Sequence, residues 1–350
     1  MSFEVVEADL VRDRQAIIDV WRRNLAPPTR LEERFDWYYL NSPAGPGRCW
    51  LLRNRSVGAV VGTTGLGIRH LLVNGTVTRV GVASDLAVDT HCRFLSPALM
   101  LQRAVLGVLG GELPLIYGLP NQSALGVIRR VGYHVMGNLT RCVKVLRCGR
   151  YLRSPSRLSM LARASAPLID LAMRAFSADT WHRRRGRRVE LIQSFDGRFD
   201  DLWSRVAPHT TITAVRDSRF LNWRYAQCPL VQYSTLGLLS PDRKLLGYVC
   251  CYLGADRQLR AVDLLADDTA DTVPDLLCAL TAYARRCRAA SISIEFLNAP
   301  HLQQPLRRLG FRPRECPVAV TAHPAPANNL GIDPGLLANW CFLRGDEDYN

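Results

Sequence analysis

The chain has 350 residues, 48% of them hydrophobic and 22% charged, with a formal net charge of +14 and eleven cysteines. Those proportions suit a folded chain with room for two hydrophobic cores and exclude a disordered or collagen-like polymer. The cysteines are odd in number and scattered, with no Cys-x-x-Cys or Cys/His ligand pair, which predicts reduced thiols and no metal site.

In chain order, the opening Met-Ser-Phe-Glu-Val-Val-Glu lacks a basic region followed by an apolar core, so no secretion signal is expected. No run of 18 uncharged apolar residues predicts a spanning helix, and a cytoplasmic protein is expected. Apolar positions at Leu10, Val11, Ile17, Ile18, Val20 and Trp21 predict an amphipathic helix from Asp9 to Leu25, closed by Pro27-Pro28. Strands are expected over 49–53 and 57–62, then 66–73 and 76–83 around the Asn74-Gly75 turn. A strand over 85–89 feeds a helix that Pro97 can start. Strand 113–119, helix 122–130 and strands near 133–137 and 141–146 complete a first unit, residues 1–146. The connector, 147–188, carries eleven arginines against Asp170 and Asp179, a net +9, and Pro167 predicts that its apolar stretch forms two short helices. A second unit occupies 189–320. The extension 321–350 is rich in Pro, Asn and Gly and reads as loosely packed, docking through Leu336, Leu337, Trp340 and Phe342.

The two units share landmarks. Arg34-Phe35-Asp36-Trp37-Tyr38-Tyr39 is echoed by Arg219-Phe220-Leu221-Asn222-Trp223-Arg224-Tyr225. Phe35 precedes Gly62, and Phe220 precedes Gly247, by 27 positions each. Asp85 stands 36 residues before Asn121, and Asp263 stands 35 before Asn298. Arg129-Arg130-Val131-Gly132-Tyr133 closes one copy and Arg307-Arg308-Leu309-Gly310-Phe311 the other. Matched order at matched intervals indicates duplication of one domain, with a period too long for a solenoid. Because the Trp-Tyr elements occur in both copies, a packing role is favoured for them over recognition of an acceptor.

Between Asp85 and Met100 a strand turns into a helix, whose first amides and partial positive charge suit a pyrophosphate. This segment resembles the GNAT acyltransferases, whose signature here is Q/R-x-x-G-x-G/A. The chain offers Arg93-x-x-Ser96-x-Ala98, with Ser in place of the central Gly. The family's second signature, an Asn followed by A-x-x-x-Y-x-x-x-G-F, falls on Asn121, Ala124, Gly132 and Tyr133. The resemblance covers both halves outside the connector and tail. It implies an α+β fold of two tandem GNAT-like domains, each a mixed, largely antiparallel sheet flanked by helices. It also implies a co-substrate, acetyl-CoA or another acyl-CoA, held by Leu86, Ala87, Val88, Arg93, Phe94, Leu95, Ser96, Pro97, Ala98 and Asn121. The acyl group would pass to an amine of a small-molecule or envelope-precursor acceptor by direct attack, its carbonyl polarised by a backbone amide.

Two departures stand out. The family's thiolate-protonating Tyr would fall at position 128, which is Ile128, and an alkyl group donates no proton. Phe94, Leu95 and Pro97 make the loop bulky, and Pro97 removes an amide, while Ser96 either contacts phosphate or caps the helix. Candidates for moving protons are Asp85, His91 and Tyr133, set against a strand-end role for Asp85 and an exposed turn for His91. The second copy has Asp267, Asp268 and Asp271 where the loop should bind phosphate, and Leu306 at the Tyr position, so no CoA is expected there. Three readings of the connector stay open: a solvated basic segment, a contact with an anionic membrane surface that would make the protein peripheral to its inner face, and RNA. RNA enters because the tandem transferases of peptidoglycan crosslinking share the doubled architecture and use aminoacyl-tRNA. The rival functions are therefore a catalytically silent binding module and an aminoacyl-tRNA-dependent transferase.

Overall fold

A computed structural model describes residues 2–25, 29–149, 157–183, 186–267, 271–325 and 340–348. The first half runs β1 (Phe3–Glu7), α1 (Arg14–Asn24), α2 (Leu31–Phe35), β2 (Arg48–Asn54), β3 (Val60–Val73), β4 (Thr76–Val88), α3 (Leu95–Leu106), β5 (Leu115–Gly118), α4 (Gln122–Arg130), β6 (His134–Asn138) and β7 (Thr140–Val145). The connector forms α5 (Arg157–Ala175) and α6 (Ala178–Trp181). The second half runs β8 (Arg188–Ile192), α7 (Gly197–Val206), β9 (Ile212–Ala214), α8 (Ser218–Leu221), β10 (Ser234–Leu239), β11 (Leu245–Leu253), β12 (Gln258–Ala266), α9 (Thr272–Arg286), β13 (Ser291–Leu297), α10 (Pro300–Arg308), β14 (Arg312–Arg314), β15 (Ala319–Pro324) and β16 (Phe342–Leu343). Apart from β9 and β16, the halves match element for element. The fold is α+β, with two mixed sheets flanked by helices.

Local chemistry sets several of these elements. Asn74 (φ 47°) and Gly75 (φ 80°) are both left-handed, the requirement of a tight hairpin turn, and they join β3 to β4. The runs expected as separate strands fuse: 57–62 with 66–73 in β3, and 76–83 with 85–89 in β4. Continuous pairing along the hairpin overrides the breaks, leaving one bulge at Asp85 (φ 54°), where Asp85 and Leu86 together face Thr64. Helix α5 also differs from expectation, because it continues through Pro167 instead of splitting there. Proline costs one backbone bond at that point, while the rest of the helix keeps its own.

Sheet membership departs from the boundaries expected at 146 and 320. One sheet has the order β1-β2-β3-β4-β5-β15-β6 and the other β14-β7-β13-β12-β11-β10-β8. Each half thus lends a strand to the other: β7 lies between β13 and β14, and β15 lies between β5 and β6. Strand β9 extends the first sheet through β3, and β16 joins the second through β13. The Trp-Tyr elements, Asp36–Leu40 and Asn222–Ala226, are each a single π-helical turn. Trp37, Tyr38, Tyr39, Trp223 and Tyr225 are all buried there in one cluster shared by both halves, which is the packing role expected of them. Trp340 and Phe342 are buried in a further cluster, so this part of the tail is well packed; Leu336 and Leu337 lie outside the described residues. Among the described residues no helix is long and apolar enough to cross a membrane.

Candidate active site

Strands β4 and β5 run parallel, and their ladder holds only Gly81–Val82 against Ile116–Tyr117. Beyond that point they diverge, leaving a cavity of about 230 Å³. One wall is Ala83, Ser84, Asp85 and Leu86; the other is Gly118, Leu119, Pro120 and Asn121, with Ile128 and Tyr133 behind. The β4 wall carries the bulge, so its backbone is locally released from the β3 ladder and faces the opening.

The bulge is held from behind. The Asp85 carboxylate is fully buried, ion-paired with Arg34, and accepts a 2.6 Å bond from the Tyr39 hydroxyl. Tyr39 passes over Gly65, where any added Cβ would meet its hydroxyl. Asp85 therefore fixes the strained turn of β4, and its carboxylate is committed to Arg34 and Tyr39 instead of the cavity. His91 lies in an exposed 3-10 turn, Thr90–Cys92, and is not among the residues lining the cavity. Of the three expected proton carriers, Asp85 and Tyr133 line the cavity and His91 does not.

Tyr133 is 4% exposed and its hydroxyl has no hydrogen-bond partner. Burial pushes the phenol well above its ordinary range, so it stays protonated and available as a donor. His323, on the exchanged strand β15, meets the Tyr133 ring edge-on at 5.3 Å and helps to orient it. Gln102 on α3 donates to Thr64 Oγ1 at 3.0 Å, while its buried Oε1 is unpartnered and the residue lines the cavity. Asn121 lines it too, but its Oδ1 accepts the Ala124 amide at 2.9 Å as the N-cap of α4.

The C-terminal segment supplies two acids that the sequence did not mark. Asp346, fully buried, accepts from Arg69 at 2.9 Å, from Arg216 at 3.0 Å and from the Leu343 amide at 2.8 Å. Arg69 and Arg224 also donate to the Gly345 carbonyl, and Tyr117 to the Asp346 carbonyl. Thus clamped, the chain brings Glu347 and Asp348 to the rim of the cavity. Burial outweighs Arg344, whose Nε lies 2.8 Å away, and pushes the Glu347 carboxyl up to about 8, with Asp348 adding to the rise.

Helix α3 begins at Leu95 with Phe94 as its N-cap, so Ser96 is the second helical residue and does not cap through its side chain. Ser96 is exposed, and Pro97 has no amide to offer. Phe94 is 49% exposed and packs against Phe3 at 5.9 Å. Arg93 turns back to the Val88 carbonyl and to Asn24, both at 2.9 Å, and so braces the strand end. Ala87 and Val88 are buried in β4 with their side chains in the core.

The corresponding opening in the second half is filled. Strands β12 and β13 pair from Gln258–Ser291 to Ala261–Ile294. Past that point β16 lies against β13, Phe296 facing Leu343 and Leu297 facing Phe342. What is left is about 100 Å³ between Arg260, Glu295 and Arg344. Of the acidic loop residues, Asp268 lies outside the described residues. Among the described residues no cluster of three or more His, Cys, Asp or Glu is placed to hold a metal ion.

No family model and no curated protein matches the chain. Solved structures do. A protein of unknown function from Enterococcus faecalis V583, described as a "Probable N-Acyltransferase", superposes with a TM-score of 0.64 at 11% identity, over 93% of this chain and 73% of its own. GCN5-related N-acetyltransferases from Anabaena variabilis ATCC 29413 and Kribbella flavida give TM-scores of 0.62 and 0.57 at 12% and 14% identity. They cover 92% of this chain each, and 72% and 71% of their own. The chain therefore has the GCN5-related N-acetyltransferase fold.

Proposed function

We propose that the chain is an acyl-CoA-dependent N-acyltransferase acting through its first sheet, with acetyl-CoA the leading donor. The observation that carries this reading is the β4–β5 opening, in which a bulged strand, an unpartnered phenol and the Glu347 carboxyl line one cavity. The orphaned buried oxygens of Gln102 and Tyr133 suit a donor with amide and thioester groups along its arm. A diphosphate at the far end suits the start of α3. Such a donor supplies an activated acyl group.

In this reading the residues divide the work as follows. The backbone at Asp85–Leu86 polarises the acyl carbonyl, and the Arg34–Asp85–Tyr39 set keeps it in place. Glu347 takes the proton from the attacking amine; its raised position makes it a base matched to neutral or mildly alkaline pH. Tyr133 gives a proton to the leaving thiolate, a role for which Ile128 is unfit. The second half, its opening filled by β16, serves as a scaffold that supplies β15 and His323.

The test is thermal shift with acetyl-CoA followed by thiol release over an amine panel. A donor at a hundred times its dissociation constant adds about 2.7 kcal/mol, and thiol release should follow with amines alone. No shift with any acyl-CoA would leave the silent binding module instead.

A further inference from the structure

Half of the twelve exposed large hydrophobic side chains among the described residues crowd into fourteen positions of the connector: Leu168, Ile169, Leu171, Met173, Phe176 and Trp181. Single exposed apolar residues are ordinary, but a contiguous set marks a contact surface. Phe176 is 89% exposed, Trp181 75% and Leu168 71%. At 100° per residue, Leu168, Leu171, Ala172, Ala175 and Phe176 share one side of α5. The other side fastens the helix, where Ala166 is buried and the Asp170 carboxylate accepts the Cys148 amide at 2.8 Å.

This face is held rigidly. Asp179 binds Lys144 of β7 and Arg285 of α9, and Asp275 binds His182 and Arg187. The Trp181 indole donates to the Ala175 carbonyl at 2.7 Å, which fixes its ring against the end of α5 while the ring itself faces water. Beside the fastened edge lies an open hollow lined by Arg147, Arg257 and Arg288, with Asp170 as its one acid. The connector as a whole carries a net +9.

We infer that the exposed face of α5 and α6 docks on a lipid bilayer surface bearing anionic headgroups. The apolar side chains would enter the acyl boundary, Trp181 would sit at headgroup level, and the exposed Arg174 and Arg183 would meet lipid phosphates. Charge selects this occupant: an apolar stripe flanked by the exposed Arg174 and Arg183 complements an anionic interface, whereas a second copy of the same face would bring like charges together.

The experiment is co-sedimentation of the full chain with phosphatidylcholine vesicles, with and without phosphatidylglycerol, across a salt series. Binding to the anionic vesicles alone is expected, falling as salt rises. The double variant Phe176→Ser, Trp181→Ser should abolish it while thiol release in solution is unchanged. Arg174→Ala and Arg183→Ala should each weaken it roughly fivefold. Absence of binding to anionic vesicles, or binding indifferent to these variants, would overturn the inference. So would a dimer in light scattering that the double variant dissolves, or retention of a short RNA with none of vesicles.

Discussion

The indoles of Trp37 and Trp223 stack 4.8 Å apart and 19° from parallel, and each donates its ring N–H to the other's main-chain carbonyl, at 2.9 and 3.0 Å. The pair relates the two halves as near-equivalents and joins their π-helical turns. Trp37→Ala removes a buried ring, its stacking partner and one bond, and should cost about 3–5 kcal/mol. Urea unfolding measures it. A loss below about 1 kcal/mol would show that the stack does not hold the halves together.

Tyr133→Phe should behave unlike most buried Tyr substitutions. The hydroxyl satisfies no bond in the protein, so its removal should leave stability unchanged or raise it by up to about 1 kcal/mol. Turnover should still fall by roughly 10²- to 10⁴-fold if the phenol protonates the leaving group. Stability and kcat measured on the same sample separate the two effects.

Glu347 makes a prediction about pH with two signs. Its carboxyl lies near about 8 in place of 4.5, so the folded state holds that proton more tightly than the unfolded chain. Its contribution to stability is therefore fullest below about 4.5 and declines as pH rises toward about 8. The rate of acyl transfer runs the other way, rising through the same pH as the base becomes available. Glu347→Gln should flatten both limbs, read by denaturant melts and by kcat/KM across pH.

Asp346→Ala tests the clamp behind that acid. It leaves buried Arg69 without a carboxylate and buried Arg216 with Asp263 as its remaining one, and should cost about 3–5 kcal/mol. Acyl transfer should fall with it even where the protein stays folded, because Glu347 and Asp348 lose their anchor. Stability by urea melt and kcat at a temperature well below the transition distinguish these losses.

The repeat was legible because local pattern carries it: both Trp-Tyr elements, both hairpins and both strand–helix turns were written in residues close together in the chain. The Asn74-Gly75 turn and the helix from Gln122 to Arg130 fell where expected. The turn from β4 toward α3 was legible for the same reason, although Ser96 proved to lie inside the helix. The exchange of β7 and β15 was not legible, since each strand suits either sheet and the partner is fixed by packing across about half the chain. Glu347 escaped notice because Arg344-Gly345-Asp346-Glu347-Asp348 reads as a solvated tail. Three buried arginines, Arg69, Arg216 and Arg224, turn it inward, and none is near it in sequence. Asp85 looked like an acid beside a donor site; its buried pairing with Arg34 and Tyr39 is a property of the assembled core.

The trading of β7 for β15 has a consequence for biosynthesis. When the N-terminal sheet leaves the ribosome it has a vacant slot between β5 and β6, and residues 319–324, which fill it, are still to be translated. Neither half can mature ahead of the other. A nascent chain halted midway would expose two unpaired strand edges to its neighbours, which makes translation pauses and premature termination a hazard for this protein.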